Sequence, residues 1–315
     1  MSLRILRRLA GMGVVIVLVS GITFGLMHLA PGDPALQVAM ARYGMDAVSP
    51  EQVEFVRSEE RLDRPFWTQY VRWLWHIIRL DLGRSLVSGE PVAHDIKRSI
   101  KASLLLAVAG LAFSLILTIP VGVWAGMQKD SAVDIGSSLI ALVMASSPTF
   151  FTGLLLLLVV SIRLDILPVA GHGNWKHLIL PALTVGISLT AVSMRLMRTS
   201  VLEVLESPHI LFARAKGLNT WQVVRGHVIK NAFLPVITYI GLQLGALMDG
   251  VVIVETIFAW PGVGRLLIEA IMARDFPTIQ GAVLCIAAAY VAVNFIVDLS
   301  YMLLNPRIRL ESVQP

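Results

Sequence analysis

Residues 205–235 read LESPHILFARAKGLNTWQVVRGHVIKNAFLP, a polar and basic segment with long apolar runs on both sides. The Ser-Pro pair at positions 207–208 favours a helix start, because serine can cap free N–H groups and proline fits the first turn. Gly217 favours the end of that helix, since glycine enters a left-handed turn cheaply. Asn219 or Thr220 can cap a second helix. The segment therefore predicts two short helices around a glycine turn.

In the second helix, Trp221, Val224 and Val228 have the spacing that puts side chains on one helical face. Three interpretations of the whole segment compete: a solvated loop between membrane spans, a DNA-binding helix-turn-helix, and a docking element for a cytosolic partner. The outline and the basic charge fit a helix-turn-helix, but apolar spans close on both sides argue against DNA.

The residues favour the docking element, because they resemble a known family. The sequence Ala213-Arg214-Ala215-Lys216-Gly217-Leu218, followed by Asn231-Ala232-Phe233-Leu234-Pro235, resembles the coupling loop of permeases from binding-protein-dependent ABC importers. It is most similar to the branch that carries dipeptides, oligopeptides or nickel. In that family the first short helix sits in a cleft of the ATP-hydrolysing subunit. The resemblance thus implies an ATPase-coupling role for residues 213–218. The common family motif begins Glu-Ala-Ala; here that Glu is missing, as it often is in peptide-type members.

Composition places the chain in a membrane. It has 315 residues, of which 56% are hydrophobic and 15% charged, and its mean hydropathy is +0.75. Soluble domains carry roughly 25% charged residues. The single cysteine, Cys285, lies in an apolar run and excludes a disulfide framework. The net charge of +5 is explained by cytoplasmic loops rather than by nucleic acid.

The apolar runs predict an all-α polytopic protein with about six transmembrane helices. The first run resembles a signal peptide, but it is long enough to span a bilayer and no small-x-small cleavage site follows, so we expect a retained span. Basic residues concentrate at both termini and in the 205–235 segment, which predicts cytoplasmic termini. The predicted spans are residues 9–29, 104–127, 135–162, 178–194, 235–257 and 281–304. In the second of these, Gly122 and Gly126 favour close helix packing.

These spans give a domain organisation. Residues 1–30 form the first transmembrane helix, with a cytoplasmic N-terminus, and residues 31–101 form an external segment. Residues 102–309 form a five-helix permease core that includes a coupling loop at 199–233, and residues 310–315 form a cytoplasmic tail. The resemblance implies that this core has the type I ABC importer fold with a cytoplasmic coupling helix.

Two stretches outside the coupling loop also resemble the family: residues 81–85, which follow a tryptophan-rich stretch, and residues 260–262. Trp67, Trp73 and Trp75 alternate with basic residues, a pattern typical of an interface helix as well as of nucleic-acid binding; the flanking spans favour the interface. The following residues 81–85 resemble the family's external segment, which in relatives faces the substrate-binding protein. An external loop containing Trp260, Pro261 and Gly262 is the other specific match.

Motifs for catalysis are absent from the sequence. It contains no Gly-x-x-x-x-Gly-Lys-Ser/Thr phosphate loop, no His-Glu-x-x-His pair and no Gly-x-Ser-x-Gly elbow. We therefore predict a transport subunit rather than an enzyme, with no cofactor and no metal bound; ATP and Mg are expected in partner subunits. His172 and His177 share an external loop and could meet a nickel complex in passing, but the adjacent glycines already predict a turn.

Three acids lie within predicted spans, where desolvation is costly. Asp249 is the candidate for lining the translocation path, because it can attract a cationic substrate. Glu255 lies near the external end of its span, and we expect it to brace the following loop. Asp298 could pair with Arg307 near the cytoplasmic surface.

Taken over nearly the whole chain, the resemblance implies a permease subunit of an ATP-driven importer in a bacterial plasma membrane, the inner membrane in a Gram-negative cell. The implied partners are a second homologous permease, two ATP-binding subunits, an external solute-binding protein and membrane lipid, without nucleic acid. Peptides are the first expected substrate, and nickel or a nickel chelate is the alternative. An ATP-independent channel or secondary transporter would need ion relays and inverted repeats, which this sequence does not display. An intramembrane enzyme would need the missing motifs.

Overall fold

The computed structural model describes residues 2–29, 32–44, 48–59, 62–79 and 81–304. That part of the chain is built from helices, with one isolated antiparallel bridge between Arg84 and Pro91. The α-helices in chain order are α1 (Ser2–Leu29), α2 (Pro34–Tyr43), α3 (Pro50–Glu59), α4 (Phe66–Ile78), α5 (Val92–Met127), α6 (Ala132–Ser146), α7 (Thr149–Leu156), α8 (Lys176–Leu205), α9 (Pro208–Ala215), α10 (Thr220–Val223), α11 (Ile229–Ile257), α12 (Val263–Met272) and α13 (Phe276–Leu304). Two π-helical turns, Leu157–Arg163 and Val224–Val228, follow α7 and α10.

The helices confirm an all-α polytopic architecture. Within the described residues, four are long and apolar enough to cross a membrane, and the bent pair α6 and α7 makes a fifth candidate. Helix α11 covers the remaining predicted span, residues 235–257. The four are Ala10–Leu29, Val92–Met127, Lys176–Leu205 and Phe276–Val297.

The third predicted span, residues 135–162, is not one straight helix. Helix α6 ends at Ser146, and the pair Ala132–Ser146 and Thr149–Arg163 is bent by 105°. Ser147 is extended, with φ −87° and ψ 122°, because it precedes Pro148, whose ring excludes the helical region for the residue before it. The proline therefore turns the predicted span into two helices.

The second span also differs from the prediction, because its helix begins at Val92 instead of near residue 104. The added turns carry a buried stripe at helical spacing: Val92 is fully buried, and Ile96 and Ser99 are nearly so. A Cβ on Gly281 would come within 2.7 Å of the Ile96 side chain, so this stripe packs closely on α13. Residues that hydropathy assigned to the polar segment thus continue the helix.

The chain divides into two compact units. One comprises Met1–Ala102 with Pro261–Val291, and the other comprises Ser103–Trp260 with Ala292–Pro315. In the first unit, the Asp275 carboxylate is 3% exposed and ties the residue 81–91 loop to the start of α13. It accepts hydrogen bonds from the Ser85 hydroxyl at 2.5 Å, the Leu86 N–H at 3.1 Å and the Thr278 hydroxyl at 2.7 Å.

In the second unit, helix α5 packs tightly on α8 through the predicted pair of glycines. A Cβ on Gly122 would lie 2.7 Å from the Met197 Cβ. A Cβ on Gly126 would lie 2.7 Å from the Val201 side chain and 2.9 Å from the backbone oxygen of Arg198. The two helices approach so closely that only glycine fits, which confirms the packing prediction.

We predict that Gly126→Ala destabilises the protein by about 1–3 kcal/mol, because the added methyl group meets backbone that cannot rotate away. Gly136→Ala is the matched control, since nothing lies within 4 Å of a Cβ at that position in α6. Thermal unfolding of the detergent-extracted protein measures both. Equal transition temperatures for the two variants would contradict the close approach of α5 and α8.

Candidate functional site

The 205–235 segment folds as the sequence predicts, as two short helices around Gly217. Pro208 occupies the first turn of α9. The helix ends in a Schellman motif, in which the Leu218 N–H bonds to the Ala213 oxygen at 3.3 Å and the Gly217 N–H bonds to the Arg214 oxygen at 2.9 Å. Gly217 has φ +88°, and nothing lies within 4 Å of a Cβ built there, so the requirement for glycine comes from the backbone alone.

Both helix starts use the predicted residues, with one difference in bonding. Ser207 occupies the cap position of α9, but its hydroxyl bonds to the Val204 oxygen and makes no cap hydrogen bond. Asn219 and Gln222 form a reciprocal capping box at α10, with both bonds at 2.9 Å. The start of α10 is thus stabilised by side-chain capping. The start of α9 has no such cap, and its proline and its short connection to α8 stabilise it instead.

Helix α9 has a buried face and an exposed face. Ile210 is fully buried and Ala213 is 7% exposed, and both belong to the core that α8, α10 and α11 share. Leu211 and Phe212 are 59% and 63% exposed. Within the predicted coupling set, residues 213–218, the exposed residues are Arg214, Ala215, Lys216 and Gly217.

The burial pattern changes the role expected for three residues. Ala213 packs inward, so its small size serves the core of this chain and not the approach of a partner. Leu218 is half-buried against the same core. The spacing places Trp221 on one face with Val224 and Val228, but their surroundings differ: Trp221 is 67% exposed, while the two valines are buried. The π-helical turn that starts at Val224 alters the residue spacing around the helix.

Two basic side chains, those of Arg214 and Lys216, lie at the exposed end of α9. The Lys216 ammonium lies 4.6 Å from the centre of the Phe212 ring, a cation–π contact that orients both. The Arg214 guanidinium has no hydrogen bond or ion pair to another residue in the part of the chain that the structure describes. This surface therefore combines exposed apolar area with an available positive charge.

An ion pair that the sequence analysis missed holds the helix leading into α9. Arg198 on α8 grips Asp134 on α6 with two hydrogen bonds, Nε to Oδ1 at 2.5 Å and Nη2 to Oδ2 at 2.7 Å. The Asp134 side chain is 4% exposed and also accepts the Asp130 N–H at 3.0 Å. Bidentate geometry fixes both partners, so α6 restrains α8 shortly before the coupling segment. In the sequence, the one sign of this ion pair was the position of Asp134 at the edge of an apolar run.

The predicted external loop is also built around burial. Trp260 is 2% exposed, and its ring makes an edge contact with His172 at 4.9 Å between centroids. Glu255 is fully buried, accepts the Ser103 hydroxyl at 2.5 Å through its carboxylate, and accepts the Trp260 N–H at 2.8 Å through its backbone oxygen. These contacts agree with a bracing role for Glu255. Pro261 is half-buried, and Gly262 is buried as the N-cap of α12.

The remaining sequence predictions are not decided by the geometry. The side chains of Asp249 and Asp298 lie outside the described part of the structure, as does Arg307. His172 and His177 belong to no metal-binding group: among the described residues, no three histidine, cysteine or acidic side chains could hold an ion together.

Comparison with known proteins connects this helical arrangement to one family. Residues 118–310 match the family described as "Binding-protein-dependent transport system inner membrane component". The chain belongs to this family. Residues 1–92 match the model of the N-terminal part of such membrane components. The chain is thus a multi-pass permease of the inner membrane, as the 213–218 motif indicated, and such permeases work in complexes with other ABC importer subunits.

Two curated permeases resemble the chain over nearly its full length. The dipeptide transport system permease protein DppB of Escherichia coli (strain K12) is 39% identical, with 97% of this chain and 98% of that protein covered. The glutathione transport system permease protein GsiC of the same strain is 36% identical, with the same coverage.

We predict that Arg198→Gln destabilises the permease by about 2 kcal/mol, because the buried Asp134 carboxylate loses its charged donors. Arg198→Lys should be intermediate, since it keeps the charge without the bidentate fork. Arg195→Gln is the control: this exposed residue lies one turn earlier on α8, and its guanidinium bonds to no described residue. Thermal unfolding of the extracted protein tests the order, and equal loss in the Arg195 variant would contradict it.

Proposed function

We propose that this permease is one of two membrane subunits of an ATP-driven importer, and that the exposed face of α9 docks into an ATP-hydrolysing partner. The observation that carries the proposal is the division of α9 into two faces. Ile210 and Ala213 fix the helix to its own chain, while Leu211, Phe212 and Arg214 face outward. A helix anchored on one side and apolar on the other can bind a partner and pass on its movement.

Transmission would run from α9 into the spans by direct packing. Helix α8 ends at Leu205, and α9 begins at Pro208, so two residues separate them. The core cluster contains Met197 and Val201 of α8 and Val236 of α11 with the buried residues of α9. Close-packed cores shift as units. Closure of an ATPase pair on α9 would therefore tilt α8 and α11 together and open the path alternately to each side.

The proposed substrate class is short peptides. The two relatives are named for dipeptide and for glutathione transport, and both substrates contain peptide bonds. A second permease subunit, two ATP-binding subunits and an external solute-binding protein complete the proposed complex. ATP and Mg would be used in the partners. Nickel import stays an untested prediction from the sequence.

We infer the orientation from the distribution of positive charge. Arg4, Arg7 and Arg8 precede the first span, and the 205–235 segment is basic as well. Both termini are accordingly proposed to be cytoplasmic, on the same side as α9. Reporter fusions at each terminus measure this directly, and an external C-terminus would overturn both the orientation and the number of spans.

We predict that Gly217→Val strongly reduces uptake while the permease still inserts into the membrane. A β-branched residue at φ +88° costs on the order of 1–2 kcal/mol and displaces the end of α9. Gly217→Asn is the matched control, because asparagine tolerates the left-handed region and the site has room for its side chain. Peptide uptake, and ATPase stimulation by loaded binding protein, are measured in reconstituted vesicles.

A second substitution separates docking from folding. Ala215→Trp adds bulk on the exposed face and should block the partner, whereas Ala213→Trp would overfill the buried core and report on stability instead. If Gly217→Val and Ala215→Trp both keep full uptake and full stimulation, the 205–235 segment is an ordinary loop and the proposed coupling is wrong.

Asp249 is proposed to line the path, on the ground that an acid in a span is costly without a role. Asp249→Asn removes the charge with little change of shape and should impair transport without loss of assembly. The exposed Asp165→Asn is the control. Wild-type uptake of every peptide by Asp249→Asn would make this residue a packing acid.

A further inference from the structure

An open cavity of 860 Å³ lies within the first unit, beside the Leu29 end of the first span. Its walls come from the end of α1, from α2 and α4, from the residue 81–89 loop and from the start of α13. Pockets of about 300–1,000 Å³ commonly hold small ligands. None of the described residues that line it belongs to the 205–235 segment, so its purpose is a separate question.

Positive charge lines the cavity without matching negative charge. The guanidinium groups of Arg64 and Arg72 lie on its wall, and neither bonds to any residue that the structure describes. Arg84 donates only to the neutral Gly89 oxygen, at 3.1 Å. Asp81 is the one acid among the described lining residues. The Gly83 N–H and His76 hold the pKa of Asp81 below its usual range, so it counts as a single negative charge at neutral pH.

Part of the cavity wall is apolar. Phe24, Met27 and Trp73 line it, and the Phe24 and Trp73 rings are 5.5 Å apart between centroids. Tyr70 fixes α4 to the span, because its hydroxyl lies 2.9 Å from the Ser20 hydroxyl and donates to the Val17 oxygen at 3.1 Å. The cavity therefore offers guanidinium groups and a preformed apolar surface to one ligand.

The outer faces of the same helices place the cavity at the membrane interface. On α1, Ile22 and Leu26 are 61% and 62% exposed, as expected of side chains that face lipid. On α4, Trp67 and Trp75 are 71% and 54% exposed, and neither is among the described residues that line the cavity. Tryptophan is enriched where hydrocarbon meets headgroups. Lipid headgroups and the adjoining parts of the acyl chains are thus within reach of the cavity.

We infer that this cavity binds an anionic phospholipid, with the phosphate at Arg64 and Arg72 and an acyl chain along Phe24 and Met27. Guanidinium groups recognise phosphate oxygens through paired hydrogen bonds. The apolar wall favours a ligand with a hydrocarbon chain, because a short peptide or inorganic phosphate would leave that wall uncovered. Such a lipid would hold α1, α2 and α4 together beside residues 81–85. This inference does not depend on the proposed peptide transport.

The test is native mass spectrometry of the full-length permease, with whatever subunits accompany it, in detergent with added phosphatidylglycerol or phosphatidylcholine. Wild type should retain phosphatidylglycerol in preference. The double variant Arg64→Gln/Arg72→Gln should bind phosphatidylglycerol about tenfold more weakly, because charged hydrogen bonds are lost. The control Lys97→Gln/Arg98→Gln removes the same charge from exposed residues of α5 that do not line the cavity, and it should bind like wild type.

A photoreactive residue at Thr68, on the cavity wall, identifies the occupant independently of affinity. Cross-linked phospholipid supports the inference. Capture of the dipeptide Ala-Ala in its place would show a substrate site and overturn it. Equal phosphatidylglycerol affinity in wild type and the Arg64→Gln/Arg72→Gln variant, or equal loss in the Lys97→Gln/Arg98→Gln control, would also overturn it, since binding would then be non-specific.

Discussion

Apolar packing of the 205–235 segment against α8 and α11 is the constraint on which the arrangement around it depends. Ile210 from α9 is fully buried in the same core as Val224 and Val228, between α8 and α11. Each fully buried aliphatic side chain contributes about 1.5–3 kcal/mol relative to exposure. The segment could not leave this core without exposing several of them, so α9 stays a fixed part of the helical bundle while its outer face remains open.

The features that sequence alone predicted are those with local causes. Four such causes act within a few residues, so their signals survive in a short stretch: the serine before α9, the proline that begins it, the left-handed Gly217 and the capping role of Asn219. Hydropathy located the first span for the same reason. The glycine pair in α5 was also readable, because small residues four apart on an apolar helix have few other uses.

The features that sequence missed depend on residues far apart or on backbone irregularities. Arg198 and Asp134 are separated by 64 positions, and no local pattern joins them. Asp275 finds its donors on a loop 190 positions earlier. Trp221 is 67% exposed while Val224 and Val228 are buried, a difference that residue spacing along the helix does not specify. The angle of 105° between the two helices of the third predicted span is set by how α6 and α7 pack on α8 and α11, which no local pattern specifies.

The length of α8 has a mechanical consequence. Its 30 residues form one continuous helix, about 45 Å long. A hydrocarbon core is about 30 Å thick, so this helix exceeds the thickness of the core by about 15 Å, or roughly three helical turns divided between its ends. Arg198 and Asp134 clamp it near the end that leads to α9. Because this ion pair lies close to the α9 end, a small displacement of that end would become a larger displacement at the opposite end of α8, near Pro181.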